Sequence, residues 1–321
     1  MEYFTIGNSN KEISKLCLGC MTFGDVESGF HSWTLNYEDS KDMIKHALDL
    51  GINFFDTANV YSKGTSEVYL GKALKELNVD RKKVFIATKV YFNDGKLSRE
   101  AILREVDLSL KRLEMEYLDL YIIHRFDKDT PMEETMEALN ELVTSGKVRH
   151  IGASAMYGYQ FHNMQEIAEK NGWAKFETMQ NHYNMIYRED ERELIPVCKQ
   201  YGTLLTPYSP LAAGRLARSE WHTNTLRSKT DETAVGKYDA FEEADKKIVQ
   251  RVIELSKTHH CTMTQISLAY LYAKGVSAPI IGASKEKYID DAVGVFDVKL
   301  TPEEIAYLDE LYVPHNVVGA L

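Results

Sequence analysis

Four side chains able to handle a proton stand where apolar runs of this sequence end. Asp56 follows Ile52-Asn53-Phe54-Phe55, with Tyr61 shortly after it; Lys89 follows a run ending at Thr88; His124 follows Leu120-Tyr121-Ile122-Ile123. Taken singly, each has an ordinary structural use: a turn aspartate, a solvated lysine, a hydrogen-bonded core histidine, a tyrosine on a rim. Taken together on three successive runs, they make one chemistry. A phenol with an unperturbed pKa of about 10 is too weak an acid for neutral pH. An ammonium beside it favours the phenolate and lowers that value, and a carboxylate paired with the ammonium keeps the lysine charged and placed. A histidine alongside can orient a carbonyl by hydrogen bonding. Such a set suits proton delivery to an oxygen that has just gained negative charge, and a carbonyl receiving hydride at carbon is the obvious case.

For these residues to meet, the runs must be strands whose ends share one face. Short apolar runs at 16–18, 52–55, 84–88, 118–123, 148–152, 178–180, 203–207 and 278–281 alternate with amphipathic segments. Ile102, Leu103, Val106, Leu110 and Leu113 fall on one helical face, as do Met43, Ile44, Ala47 and Leu48. Helix starts are expected at Thr130-Pro131 and Thr301-Pro302, each threonine an N-cap, with Glu133 and Glu304 closing capping boxes. Eight such units predict an α/β fold, a (β/α)8 TIM barrel of about 250 residues plus additions, with active-site residues at the C-terminal ends of its strands. An open doubly wound sheet is the competitor, but no G-x-G-x-x-G follows any run, as a Rossmann site would need. The polar stretch 215–237 is expected to be a long loop at one barrel end, and residues 1–321 read as one domain.

Composition narrows the function. The 321 residues carry 38 Lys+Arg against 48 Asp+Glu, a net charge of -10, which argues against a broad interface with nucleic acid. No basic segment followed by an apolar one opens the sequence, and no run approaches the roughly 18 apolar residues of a membrane span, so a cytoplasmic protein without a membrane partner is expected. Cys17 and Cys20 form a C-x-x-C, but no second ligand pair follows. With Cys198 and Cys261 they read as core thiols, and no metal is expected. Nothing in the sequence sets an oligomeric state.

The run Gly51-Ile-Asn-Phe-Phe-Asp56-Thr-Ala-Asn-Val-Tyr61, continued by Ser66-Glu67 and Leu70-Gly71, resembles the signature of the aldo-keto reductase superfamily, as do Ile86-Ala-Thr-Lys89 and Asp119-Leu-Tyr-Ile-Ile-His124-Arg. The resemblance runs from near the N-terminus to about Leu311. It is strongest to bacterial NADP-dependent members of an aryl-alcohol-dehydrogenase-like and sugar-phosphate-associated branch. It implies a barrel with an N-terminal hairpin and extra C-terminal helices that reduces an aldehyde or ketone, reversibly, with NADP(H). Tyr61 would be the general acid, Lys89 the neighbour lowering its pKa, Asp56 the partner of Lys89, and His124 the group orienting substrate.

The same resemblance carries over cofactor contacts. Met21, Thr22 and Asp56 are among them; Ser154 and Gln180 would hold the nicotinamide carboxamide, and Tyr208 would stack on its ring. Ser209, Pro210, Leu211 and Gly214, with Arg215 and Arg218, would pass over the pyrophosphate. Gly282, Ser284, Lys285, Tyr288 and Asp291 would hold the adenosine end, where a lysine and a hydroxyl favour NADP over NAD. Ala155, Tyr288 and Ala292 depart from the family pattern, which usually has asparagine, glutamine and asparagine there. Phe23, Trp33, Tyr61, Tyr91, His124 and Arg125 would form the substrate pocket, an aromatic wall with one cation suited to a small-molecule carbonyl or alcohol. Two other functions share these features: a cofactor-sensing subunit like the potassium-channel β-subunits, and an enzyme of sugar phosphates, toward which Arg125 points. The tail from Pro314 either folds over the mouth or hangs loose.

Overall fold

Eight parallel strands close into a barrel in a computed structural model of the chain, which describes residues 1–29, 31–224 and 226–320. Phe30 of the first loop and Leu321 of the tail lie outside these residues. The strands are β1 (Cys17–Gly19), β2 (Phe54–Asp56), β3 (Phe85–Val90), β4 (Leu118–Ile123), β5 (Val148–Ser154), β6 (Phe176–Gln180), β7 (Leu204–Leu205) and β8 (Ile280–Ile281). Each falls on one of the apolar runs. Neighbours pair in chain order from β1 to β7, and β8 returns to β1 through Ile280 opposite Cys17 and Ile281 opposite Leu18. The last seam is closed by the Ile280 N–H donating to the Pro207 carbonyl at 3.0 Å and the Ser277 N–H to Leu205 at 2.9 Å.

Strands β3 and β4 are buried along their whole length, as expected where helices cover one face and side chains fill the other. Cys17, Phe54, Phe85, Ala87, Leu120, Ile122 and Ile280 form a cluster inside the barrel. An N-terminal hairpin, Tyr3–Phe4 antiparallel to Ile13–Ser14, brings Ile6 and Ile13 against that cluster and closes the barrel floor. Side chains alternate along a strand with a period of two. Asp56 therefore shares the inward face of Phe54, Lys89 that of Phe85 and Ala87, and His124 that of Leu120 and Ile122, at the end opposite the hairpin.

Outside the barrel lie α1 (Tyr37–Asp49), α2 (Thr65–Glu76), α3 (Arg99–Leu113), α4 (Met132–Thr144), α5 (Gly158–Asn171) and α6 (Leu194–Gln200). The expected faces are the buried ones: Met43, Ile44 and Ala47 on α1, and Ile102, Val106, Leu110 and Leu113 on α3, with Leu48 and Leu103 half-buried at their margins. The chain continues through α7 (Leu226–Thr230), α8 (Glu232–Tyr238), α9 (Glu242–Thr258), α10 (Met263–Ala273), α11 (Glu286–Val293) and α12 (Pro302–Asp309).

Three expectations meet a more specific outcome. The capping box at Thr301 and Glu304 forms, but the one at Thr130 does not: its hydroxyl donates to Asp127 at 2.7 Å, and α4 starts behind Pro131 without a side-chain cap. Stretch 215–237 is not all loop, because Asp231 accepts the Ala234 N–H at 3.0 Å and starts α8. The tail is docked. The His315 N–H donates to Glu189 at 2.8 Å, its ring meets Asp245 at 3.1 Å, and the Val318 and Gly319 N–H groups donate to Tyr187 Oη at 3.0 and 3.2 Å. The four cysteines are free thiols, three of them buried. Among the described residues no cluster could hold a metal and no helix is long and apolar enough to cross a membrane.

Candidate active site

The barrel mouth brings the four proton-handling residues together. Lys89 Nζ, fully buried, donates to Asp56 Oδ1 at 2.5 Å, to the Thr57 carbonyl at 2.8 Å and to Tyr61 Oη at 3.1 Å. The Tyr61 and His124 rings meet edge to face with centroids 5.7 Å apart, and both keep some exposure to the mouth. Asp56 is held from its other side by Gln180, whose amide donates to Oδ2 at 2.9 Å, and Ser154 Oγ donates to the Gln180 carbonyl at 2.8 Å. One hydrogen-bonded chain therefore runs Ser154, Gln180, Asp56, Lys89, Tyr61.

Electrostatics fixes the protonation states. Burial opposes a charge on Lys89, but Asp56 and Tyr61 outweigh it and hold the ammonium above the ordinary lysine range. Burial pushes the Asp56 carboxyl up against the pull of Lys89 and Gln180. It also pushes the Tyr61 phenol up, and Lys89 only partly offsets this, so the expected net lowering of the tyrosine is not found. Tyr61 is thus a phenol that keeps its proton, next to a cation ready to stabilise the phenolate. His124 is driven well below the ordinary histidine range by burial, with Lys89 and Arg125 adding to it, and stands as neutral imidazole. Its Nδ1 is buried without a partner among the described residues.

The signature residues around the tetrad have supporting contacts. Ser66 Oγ donates to the Cys20 carbonyl at 2.7 Å and meets Thr57 Oγ1 at 2.9 Å, tying α2 to the ends of β1 and β2. Glu67, fully buried, accepts from Thr88 on β3 and from Arg112 on α3, both at 2.5 Å. Ser62 and Lys63, just after Tyr61, have φ of 46° and 54°, the kind of backbone strain that clusters where a catalytic side chain is aimed. The first loop crosses this turn at Gly24, φ 139°, where a Cβ would lie 2.5 Å from the Ser62 side chain.

Residues carried over for the cofactor line the same end. Met21 and Thr22 form a short turn after β1. Tyr208 follows β7, and its hydroxyl is buried without a partner among the described residues. Its ring lies parallel to that of His182 at 5.1 Å, and His182 stacks in turn on Tyr187 at 4.1 Å. Ser209 and Gly214 have φ of 54° and 95° and bound the loop through Pro210 and Leu211. Arg215 pairs with Asp239 at 2.6 Å, Arg218 donates to the Ala213 carbonyl at 3.4 Å, and both line a small pocket with Ser228. Gly282, Ser284, Lys285 and Tyr288 are exposed and Asp291 is half-buried. Lys285 is the N-cap of α11 and supplies no side-chain cap, which leaves the first-turn amides for an anion. Ala155, where the family pattern has asparagine, sits at φ 45°, a conformation asparagine tolerates better than alanine.

Of the residues expected to meet substrate, Tyr91 lies edge to face with Phe92 at 5.0 Å, and Phe92 reaches His124 at 5.1 Å. Arg125 directly follows His124 and is half-buried. Trp33 stacks on His31 at 4.3 Å, whereas Phe23 is wholly buried in the hydrophobic core. Sequence reasoning did not find the Gln180 link to Asp56, the Thr57 carbonyl, or Lys237, whose ammonium lies 4.7 Å from the Tyr208 ring centroid. Nothing in a polar stretch marks one lysine as different from its neighbours.

A sequence profile described as the Aldo/keto reductase family matches residues 15–313. The chain is 45% identical to versiconal hemiacetal acetate reductase of Aspergillus parasiticus over 99% of its length and 98% of that protein's. It is 40% identical to a putative aryl-alcohol dehydrogenase of Schizosaccharomyces pombe, covering 99% and 98%. A putative aryl-alcohol dehydrogenase of Saccharomyces cerevisiae is 39% identical, covering 97% of each. These are fungal proteins; they agree with the aryl-alcohol-dehydrogenase-like branch and do not place the chain among bacterial members. With a closed barrel and a near full-length match to relatives named reductases and dehydrogenases, the chain belongs to the aldo/keto reductase family and is an oxidoreductase acting on carbonyl or alcohol groups.

Proposed function

We propose that this enzyme reduces an aldehyde, chiefly an aryl aldehyde, or a ketone to the alcohol with NADPH, and that Tyr61 gives the proton. The observation that carries this reading is the single ammonium of Lys89, buried and bonded at once to Asp56 and to the Tyr61 hydroxyl. NADP(H), when bound, supplies or accepts the hydride. Tyr208 offers a flat ring for it, Ser154 and Gln180 offer hydrogen bonds, Arg215 and Arg218 offer charge at the loop, and Ser284 with Lys285 suits a 2'-phosphate.

The remaining chemistry belongs to the protein. As the carbonyl oxygen gains negative charge, Tyr61 Oη passes its proton to it. Lys89 stabilises the phenolate left behind, and Asp56 keeps Lys89 protonated and fixed. His124, neutral, donates a hydrogen bond to the same oxygen and sets the angle of approach. Tyr91 and Phe92 offer an aromatic wall that favours a planar substrate. In the oxidising direction Tyr61 takes the proton back. The names of the fungal relatives, two of them aryl-alcohol dehydrogenases, support an aryl substrate.

A Tyr61→Phe variant tests the reading. It keeps the ring and loses only the hydroxyl. NADPH affinity, read by fluorescence, should hold, while kcat/KM for benzaldehyde should fall by about a hundredfold or more. Reduction at the wild-type rate would show that another group supplies the proton.

A further inference from the structure

An open cavity of about 630 Å³ lies at the barrel floor, where the mechanism above makes no use of it. Phe85 at the start of β3, Asp119 at the start of β4 and Arg149 at the start of β5 line it, with Lys11 and Lys82 from the turns beneath. Phe85 and Lys89 are four residues apart on β3, so the cavity is about 13 Å along the strand from the proton-handling ammonium. Its lining is rich in cations and poor in free acids. Asp119, buried, accepts Lys11 Nζ and Arg81 Nη1, both at 2.6 Å, and the Ile86 N–H at 2.9 Å. One carboxylate thus serves two cations and has little capacity left for a ligand. Arg81 is fixed further by the Val84 and Tyr117 carbonyls at 3.0 and 2.9 Å, and its guanidinium lies 4.1 Å from the Tyr117 ring centroid. Arg149 reaches the same ring at 4.7 Å. Lys82, next in the chain after Arg81, lines the cavity beside them. Neither Arg149 nor Lys82 has a carboxylate partner among the described residues. Two other acids at this end are already engaged: Asp80 accepts the Lys82 N–H at 3.0 Å, and Glu177 meets His150 Nδ1 at 2.8 Å.

We propose that this floor cavity binds the phosphate group of a small phosphorylated metabolite, with Arg149 and Lys82 supplying the charge. Two cations without a carboxylate stand out in a chain of net charge -10. They match a phosphate monoester, which carries about -1.5 to -2 at neutral pH, better than a single carboxylate. The planar fork of Arg149 suits two phosphate oxygens at once, and Lys82 adds a point charge. The Tyr117 ring steadies the Arg149 guanidinium from its own side. Neutral groups for the rest of the ligand come from the hairpin turn. Ser9 Oγ accepts the Lys11 N–H at 3.1 Å and keeps its own proton to donate, and Asn8 lines the cavity next to it. A cavity of this volume holds a metabolite larger than phosphate itself. The site is distinct from the one proposed for the cofactor phosphates, whose Arg215, Arg218 and Lys285 belong to segments that follow the C-terminal ends of β7 and β8.

The test titrates the protein with glycerol 3-phosphate by calorimetry, in saturating NADP+ so that the cofactor's own phosphates compete for the loop arginines. Glycerol and citrate at the same ionic strength are the comparisons. Glycerol 3-phosphate should bind with a Kd of about 1 mM or below, and at tenfold excess over Kd it should raise Tm by about 3–5 °C. Lys82→Met and Arg149→Met should each weaken binding at least about fivefold, and the double variant should lose the Tm shift. Arg149→Lys, which keeps the charge and loses the fork, should fall between wild type and Arg149→Met. Both residues are exposed, so Tm without ligand should stay within about 2 °C of wild type in every variant. No binding to wild type, or equal binding to the double variant, would overturn the site; the second result would place the phosphate elsewhere on the protein. Citrate binding as tightly as glycerol 3-phosphate, with the same loss in the variants, would overturn the phosphate assignment and give the cavity to polycarboxylates.

Discussion

Removing the charge of Asp56 while keeping its shape, as Asp56→Asn, isolates the electrostatic role of the buried pair. In the wild type Asp56 Oδ1 lies 2.5 Å from Lys89 Nζ, and both groups are essentially inaccessible to water. Deleting one partner of such a pair leaves an uncompensated buried charge and costs about 3–5 kcal/mol. At about 2–4 °C per kcal/mol for a protein of this size, Tm should drop by on the order of 10 °C at neutral pH. The pH dependence carries the diagnosis. Wild-type Lys89 is held above its ordinary value, so its contribution to stability is complete below about pH 10 and is lost as pH rises further. In the variant burial acts without Asp56 to oppose it, and Lys89 falls below its unfolded value. The variant therefore gains stability as pH rises and Lys89 becomes neutral. Thermal unfolding of both proteins without cofactor, in steps from pH 7 to pH 10, should show the widest gap at pH 7 and a narrowing gap above it. A gap of the same size throughout would refute the argument, since the cost would then lie in the lost hydrogen bonds from Lys89 and Gln180.

Two further outcomes follow from the fold and the cofactor residues. Lys285→Met should weaken NADPH binding by about tenfold and leave NADH binding unchanged, as read by cofactor fluorescence; equal effects on both would remove the 2'-phosphate role. Gly71→Ala on α2 should lower Tm despite alanine's better helix propensity, because its Cβ would lie 2.2 Å from the Leu113 carbonyl oxygen on α3. An unchanged or raised Tm would mean that α2 and α3 separate at no cost.

The barrel strands were readable because burial on both faces makes them almost wholly apolar, so each polar residue that ends one stands out. Asp56, Lys89 and His124 share that signal, and the two-residue alternation from Phe54, Ala87 and Ile122 explains why all three point inward. The bond from Gln180 to Asp56 was not readable, since it joins β2 to β6 across the barrel and no local pattern encodes a contact between strands that are not neighbours. Thr130 carries a capping pattern that its own surroundings override: its hydroxyl is spent on Asp127, and the helix starts behind Pro131 without it. In stretch 215–237 polarity hid two short helices and Lys237, because a solvated loop and a helix laid over a mouth have the same composition. The tail was ambiguous for a related reason. His315 looks like a surface histidine until Asp245 and Glu189 are placed beside it.

The stack of Tyr208, His182 and Tyr187 is pinned at its far end by the Val318 and Gly319 amides, and Gly319 is so close that a Cβ there would lie 2.9 Å from His182 Cβ. A loosened tail would therefore be felt at the Tyr208 ring through two intervening rings, without touching it.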